Sequence, residues 1–355
     1  SFLYFLSLAI GNVAIGISAV GYLTPFFPWL GSGAIPLFVG TVGLIWLTTV
    51  ANFGGPRITG RIGAITVWGV IIPVAGLSLI GWFWFDPAVL KDAWNPHSLK
   101  ISDAIAQSIP LTLWAFLGME SAAQNSDAVE NPERNVPLAC LFGTLGAAVV
   151  YVLSTTVIQG IVPNAELANS SAPFAYVYAQ MFNPFIGNII MGLAVMACIG
   201  SLLGWQFTLA QTAKVTADQG MFLKLFGKVT AANAPVIGMI VCGVLQTLLA
   251  LSTISPNASA QFSKLVNLAA VTNLIPYVTA LSGLLVIMYK ARVSAAIYTR
   301  NVVVLMVAMV YCFYALYASG KDAVFGAMLV LALGYLLYGF IAKRFVAEQP
   351  APGKA

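Results

Sequence analysis

Glu120 is the one acidic residue set well inside an apolar run, Ile109-Pro110-Leu111-Thr112-Leu113-Trp114-Ala115-Phe116-Leu117-Gly118-Met119-Glu120-Ser121. An acidic side chain at the centre of a membrane helix costs about 2.5–3.5 kcal/mol, so it faces a cavity, a partner or water. Apart from Lys264, at the edge of its stretch, no Lys or Arg falls within an apolar stretch to neutralise it. Two readings stand: a carboxylate near the cytoplasmic end of its helix that reaches water, or a counter-charge for a cationic substrate or a proton acceptor. Pro110 and Gly118 bracket the segment. Proline removes a backbone donor and glycine adds backbone freedom, so both weaken a helix interior. Helices broken at membrane depth expose amides and carbonyls, which is tolerated only where protein or a watery cavity covers them.

Aromatic rings supply the other half of a cation site, because an indole or phenol face attracts ammonium groups most strongly where water is excluded. Trp114 and Trp205 lie within apolar runs among small residues, the latter in Gly200-Ser201-Leu202-Leu203-Gly204-Trp205. Trp29, Trp82, Trp84 and Trp94 fit the interfacial anchor role instead. Cys140, Cys198, Cys242 and Cys312 are isolated, so neither a disulfide nor a metal framework can be read from them. His97 is alone in a loop. Metal hydrolysis, ATP-driven pumping and serine chemistry have no motif to stand on, and no cofactor is implied.

The elements that would position these residues follow from composition. Of 355 residues 60% are hydrophobic and only 8% charged, whereas a soluble domain carries about 25% charged residues. That excludes a soluble globule and a disordered chain. Ten apolar stretches of spanning length are expected over 2–23, 35–52, 65–85, 105–123, 137–162, 186–213, 236–254, 262–288, 301–318 and 323–341. They lack the alternation of barrel strands, so the fold class is an all-α polytopic membrane protein. With residue 1 inside, 12 of the 16 Lys and Arg fall in inner loops or the tail, which places both ends in the cytoplasm. The net charge of +5 is then a topology signal and not a nucleic-acid footprint. Ser1 to Leu23 form a complete span without a basic n-region or cleavage site, so the expectation is a chain cut upstream and not a signal peptide.

Several of these segments resemble one family. Trp114 to Ala122, Val129-Glu130-Asn131-Pro132-Glu133-Arg134-Asn135-Val136-Pro137, Gly204-Trp205-Gln206 and Ile275-Pro276-Tyr277 are similar to the basic amino acid/polyamine antiporters of the amino acid–polyamine–organocation superfamily. The likeness runs over essentially the whole chain and is strongest to the putrescine–ornithine exchangers. Arginine–agmatine and lysine–cadaverine exchangers tend to carry Lys where this chain has Glu130 and Glu133, and Ala269 replaces a Ser of the arginine type.

The resemblance implies the remainder of a twelve-helix fold with inverted five-helix repeats. Residues 1–85 would be the last three helices of the first repeat, and 104–290 the second repeat with a broken helix near 114–121. Residues 300–341 would be two C-terminal helices and 342–355 a cytoplasmic tail. It further implies that Trp114 stacks on substrate, with Leu117 and Gly118 at the break, and that Glu120 is an acidic gate or proton-sensing residue. Trp205 would be a mobile gate, Tyr277 and Tyr4 further gates, Asn12 a polar contact, and Ser7 and Leu8 its lining neighbours. The implied activity is exchange of a diamine for a basic amino acid by alternating access in a bacterial inner membrane, without covalent chemistry. Protons, lipid and a second copy in a homodimer are the other partners implied. A lysine–cadaverine or arginine–agmatine exchanger, a cation channel and an inactive fragment are the competing readings.

Overall fold

The computed structural model describes residues 2–120, 129–170, 172–255 and 257–348, with side chains through 340. The described residues form helices joined by turns and loops, without strands. In chain order the helices are α1 Phe2–Leu23, α2 Ala34–Ala51, α3 Pro56–Thr66, α4 Trp68–Ile80, α5 Pro87–Ala93, α6 Ile101–Phe116 and α7 Pro132–Ile161. They continue with α8 Asn164–Asn169, α9 Pro173–Met181, α10 Pro184–Asp218, α11 Val236–Ser252, α12 Ala258–Lys290, α13 Ala295–Ala318 and α14 Lys321–Glu348. Residues 349–355 of the expected tail, and Ser121 and Ala122 of the Trp114 motif, lie outside the described residues.

Local chemistry sets many of the starts. Pro56, Pro87, Pro132, Pro173 and Pro184 occupy first turns, where the missing N–H costs nothing. Asn183 accepts from Ile186 N at 3.0 Å and Asn257 from Ala260 N at 3.1 Å, satisfying orphan donors at the heads of α10 and α12.

Each of the ten expected stretches overlaps a helix. Among the described residues, eight helical stretches are long and apolar enough to cross a bilayer, with α3 and α4 counted as one. α11 is shorter, and α6 stops at Phe116. Two expectations are corrected. The third span begins at Pro56 and not near 65, because α3 is amphipathic and its Arg57 and Arg61 disguised it as a loop. The fifth stretch, expected from 137, is already helical from Pro132, with Asn131 ahead of it in the left-handed region at φ 49°.

α1 is buried along most of its length, as a helix that is apolar on every side must be. It packs against α12 and α10, with α2 and α11 on its other flanks. α3 and α4 lie on α10, α6 lies on α12 and α13, and α7 lies on α4 and α5. The outer faces of α7, α13 and α14 expose Phe142, Val307, Phe313 and Leu336, a surface made for lipid.

A buried polar cluster ties α2, α10 and α11 together. Gln206 Nε2 donates to Ile45 O at 3.1 Å and to Gln246 Oε1 at 2.9 Å, while Thr48 Oγ1 donates to Gln206 Oε1 at 2.6 Å. In lipid such groups have no water to turn to, so the cluster fixes the register of the three helices.

Candidate functional site

α6 ends in mid-chain because Leu117 turns extended, at φ −68° and ψ 147°, and Gly118 follows at φ +111°. That second conformation favours glycine. The ending leaves carbonyls of the last turn without helical donors. Trp114 O takes Leu117 N at 3.2 Å, and Tyr151 Oη from α7 donates to Ala115 O at 3.2 Å.

Glu120 lies just beyond the break, and its side chain turns back on it. Glu120 Oε2 accepts from Gly118 N at 3.0 Å and from Tyr277 Oη, on α12, at 2.6 Å. The one ion pair among the described residues joins Lys214 to Asp218 at 2.7 Å, so the Glu120 carboxylate is held there by neutral donors.

Two indoles frame this carboxylate, each lodged against a glycine. A Cβ on Gly11 of α1 would lie 2.6 Å from the Trp114 ring, and a Cβ on Gly118 would lie 2.9 Å from the Trp205 ring. The indoles, the break and α1 line a cavity of about 280 Å³.

Its walls gather most of the residues singled out from sequence: Ser7, Leu8 and Asn12 from α1, Trp114, Leu117, Gly118 and Glu120 at the break, and Trp205 from α10. Tyr277 reaches the site through its bond to Glu120. Tyr4 does not line the cavity; it is buried in a cluster with Phe5 and Leu8, against which Trp205 packs. Ala269, fully buried, does not line it either; its carbonyl accepts Ser7 Oγ at 3.0 Å.

The structure adds Gly11, Ile15, Ala115, Tyr151, Ser201 and Asn273 to the walls. Helical spacing was the available signal for most of them. Ser201 precedes Trp205 by four residues, Asn273 precedes Tyr277 by four, and Gly11 and Ile15 follow Ser7 at intervals of four. Nothing in sequence marked Tyr151, which interrupts an otherwise apolar part of α7.

A partly aromatic cavity with the Glu120 carboxylate in its wall has the chemistry to hold a small organic cation. It contains no nucleophile–base pair among the described residues. A multi-pass helical membrane protein with such a cavity at a break in an apolar helix is built as a small-molecule transporter. Across residues 1–339 the chain matches the amino acid permease family, and it belongs to that family, within the amino acid–polyamine–organocation superfamily.

Relatives bear this out. The chain is 54% identical over 347 residues to the putrescine transporter PotE of Escherichia coli K12, covering 97% of this chain and 78% of the relative. It is 52% identical to the putrescine transporter PotE of Haemophilus influenzae, covering 97% of this chain and 79% of the relative. To the cadaverine/lysine antiporter of Escherichia coli K12 it is 32% identical, covering 95% and 76%. The protein is therefore a transporter of small molecules and not an enzyme.

Proposed function

We propose that this chain exchanges a diamine, putrescine, for a basic amino acid, ornithine, by alternating access across a bacterial cytoplasmic membrane. The observation that carries the reading is the Glu120 carboxylate, held by neutral donors in a cavity walled by Trp114 and Trp205. The likeness to relatives named putrescine transporters supports the choice of diamine.

In this reading Trp114 lies along the aliphatic chain and its nearer ammonium, a cation–π contact strengthened by the exclusion of water. Glu120 balances an ammonium, and Trp205 and Tyr277 close over the ligand. Protonating Glu120 would remove that attraction and promote release, which is the route by which protons enter the cycle and by which uptake becomes proton-linked. Both ends of the chain lie in the cytoplasm, the helices around the break form one of two inverted repeats, and two copies pair as a homodimer in lipid.

Energetics set the driving force. Putrescine carries two positive charges and ornithine one net charge at neutral pH. A one-for-one exchange moves one positive charge outward, against about 2.3 kcal/mol per 100 mV of inside-negative potential. A substrate gradient must drive it, and decarboxylation of the amino acid inside the cell would maintain that gradient.

Cadaverine–lysine exchange is the second reading, favoured by the relative of that name. One methylene distinguishes the two diamines by only about 1–3 kcal/mol in a pocket.

The test is efflux of labelled putrescine from proteoliposomes, with and without external ornithine. Carrier exchange requires external substrate. Equal efflux in its absence would make the protein a channel, and lysine outperforming ornithine would select the second reading.

A further inference from the structure

We propose that Asn273 is a ligand-binding residue of this cavity whose amide oxygen takes the second ammonium of a diamine, the first being held by Glu120. The assignment rests on the cation-exchange reading and adds to it the place of the ligand's other end.

Asn273 is 2% exposed, yet its Oδ1 has no hydrogen-bond partner. Buried amide oxygens are almost always satisfied, so an orphan acceptor beside a cavity marks where a donor belongs. Asn273 lines the same cavity as Glu120, Trp114 and Trp205.

The other orphan amide there does not compete. Asn12, 1% exposed, leaves its Nδ2 donor without a partner. An ammonium has donors only and cannot use that N–H; it can use the Asn273 oxygen.

The two proposed acceptors are tied together through α12. Ala269, Asn273 and Tyr277 succeed one another at intervals of four residues on α12, so they form one stripe. Ser7 bonds to one end of the stripe, through Ala269 O, and Glu120 bonds to the other, through Tyr277 Oη. Asn273 therefore sits about 6 Å along the helix axis from the residue that holds the carboxylate. A monoamine satisfies Glu120 alone.

The experiment compares binding of putrescine and n-butylamine to the whole chain in detergent by calorimetry, for wild type, Asn273→Leu and Asn273→Asp. The proposal predicts that Asn273→Leu weakens putrescine about ten- to a hundredfold while leaving n-butylamine unchanged, as loss of one hydrogen bond to a charged group would. Asn273→Asp should restore or tighten putrescine.

Equal putrescine binding by wild type and Asn273→Leu would overturn the proposal, since the amide would then hold water only. Equal loss of both amines in Asn273→Leu and Asn273→Asp would also overturn it, assigning the residue a structural role. A wild-type chain that binds neither amine would instead sink the cation-exchange reading itself.

Discussion

Tyr277 Oη lies 2.6 Å from Glu120 Oε2, which joins α12 to the residue just beyond the break that ends α6. Sequence separates the two by 157 positions, and no salt bridge to Glu120 is present among the described residues. A hydrogen bond to a charged group in a water-poor site contributes about 1.5–3 kcal/mol. A double-mutant cycle of Tyr277→Phe and Glu120→Gln, read by unfolding of the detergent-solubilised chain, should return a coupling of that order. Strict additivity would mean that the pair does not act as a unit.

Gly118 carries a second constraint at the same corner. Its φ of +111° disfavours any side chain, and its missing Cβ makes room for the Trp205 ring. Gly118→Ala should therefore lower stability by about 1 kcal/mol from the backbone alone, with a steric addition. Trp205→Leu in the same chain should recover only the steric part. Melting temperatures of the single and double variants would separate the two contributions.

Trp114 is seated by Gly11, since a Cβ there would stand 2.6 Å from the ring. Gly11→Ala should displace the indole and weaken putrescine binding in proportion to the stacking it loses, about 0.5–2 kcal/mol for a cation–π contact. In a Trp114→Leu background the same substitution should have little further effect on affinity. Isothermal titrations of the four chains measure this directly.

Gln206 makes three hydrogen bonds, with Ile45 O, Gln246 Oε1 and Thr48 Oγ1, on the face of α10 beside Trp205. Gln206→Leu would strand at least one polar partner away from water, at about 1–3 kcal/mol. The chain should melt at a lower temperature. Gln206→Leu combined with Gln246→Leu should cost less than the sum of the single changes, because two apolar groups leave fewer orphans than one. A sum at or above additivity would argue against a shared network.

How much of this was visible in the residues depends on the solvent. Lipid demands long apolar helices, so the spans from α1 to α14 announced themselves. α3 did not, because Arg57 and Arg61 give it the polarity of a loop while Pro56 gives it a helix start. The short helices α5, α8 and α9 carry too few residues for a spanning signal.

The cavity was legible where an unusual residue marked it: Glu120 by its charge, Trp114 and Trp205 by their size among small neighbours. Asn273 and Ser201 were not, though each sits one turn from a residue already singled out. Small polar side chains are common in membrane helices, and only the packing of α1, α10 and α12 shows which of them meet. Tyr4 went the other way, suited by type to a gate yet absent from the cavity wall.

The central claim is that the Glu120 carboxylate is the berth for an organic cation. Its most direct measure is the dissociation constant of putrescine for the chain against that of Glu120→Gln, across a pH series. A loss of about tenfold or more is predicted for the variant, together with a flattened pH response, as removal of one charge-assisted contact requires. Equal affinities and an unaltered pH response would remove Glu120 from recognition and contradict the account.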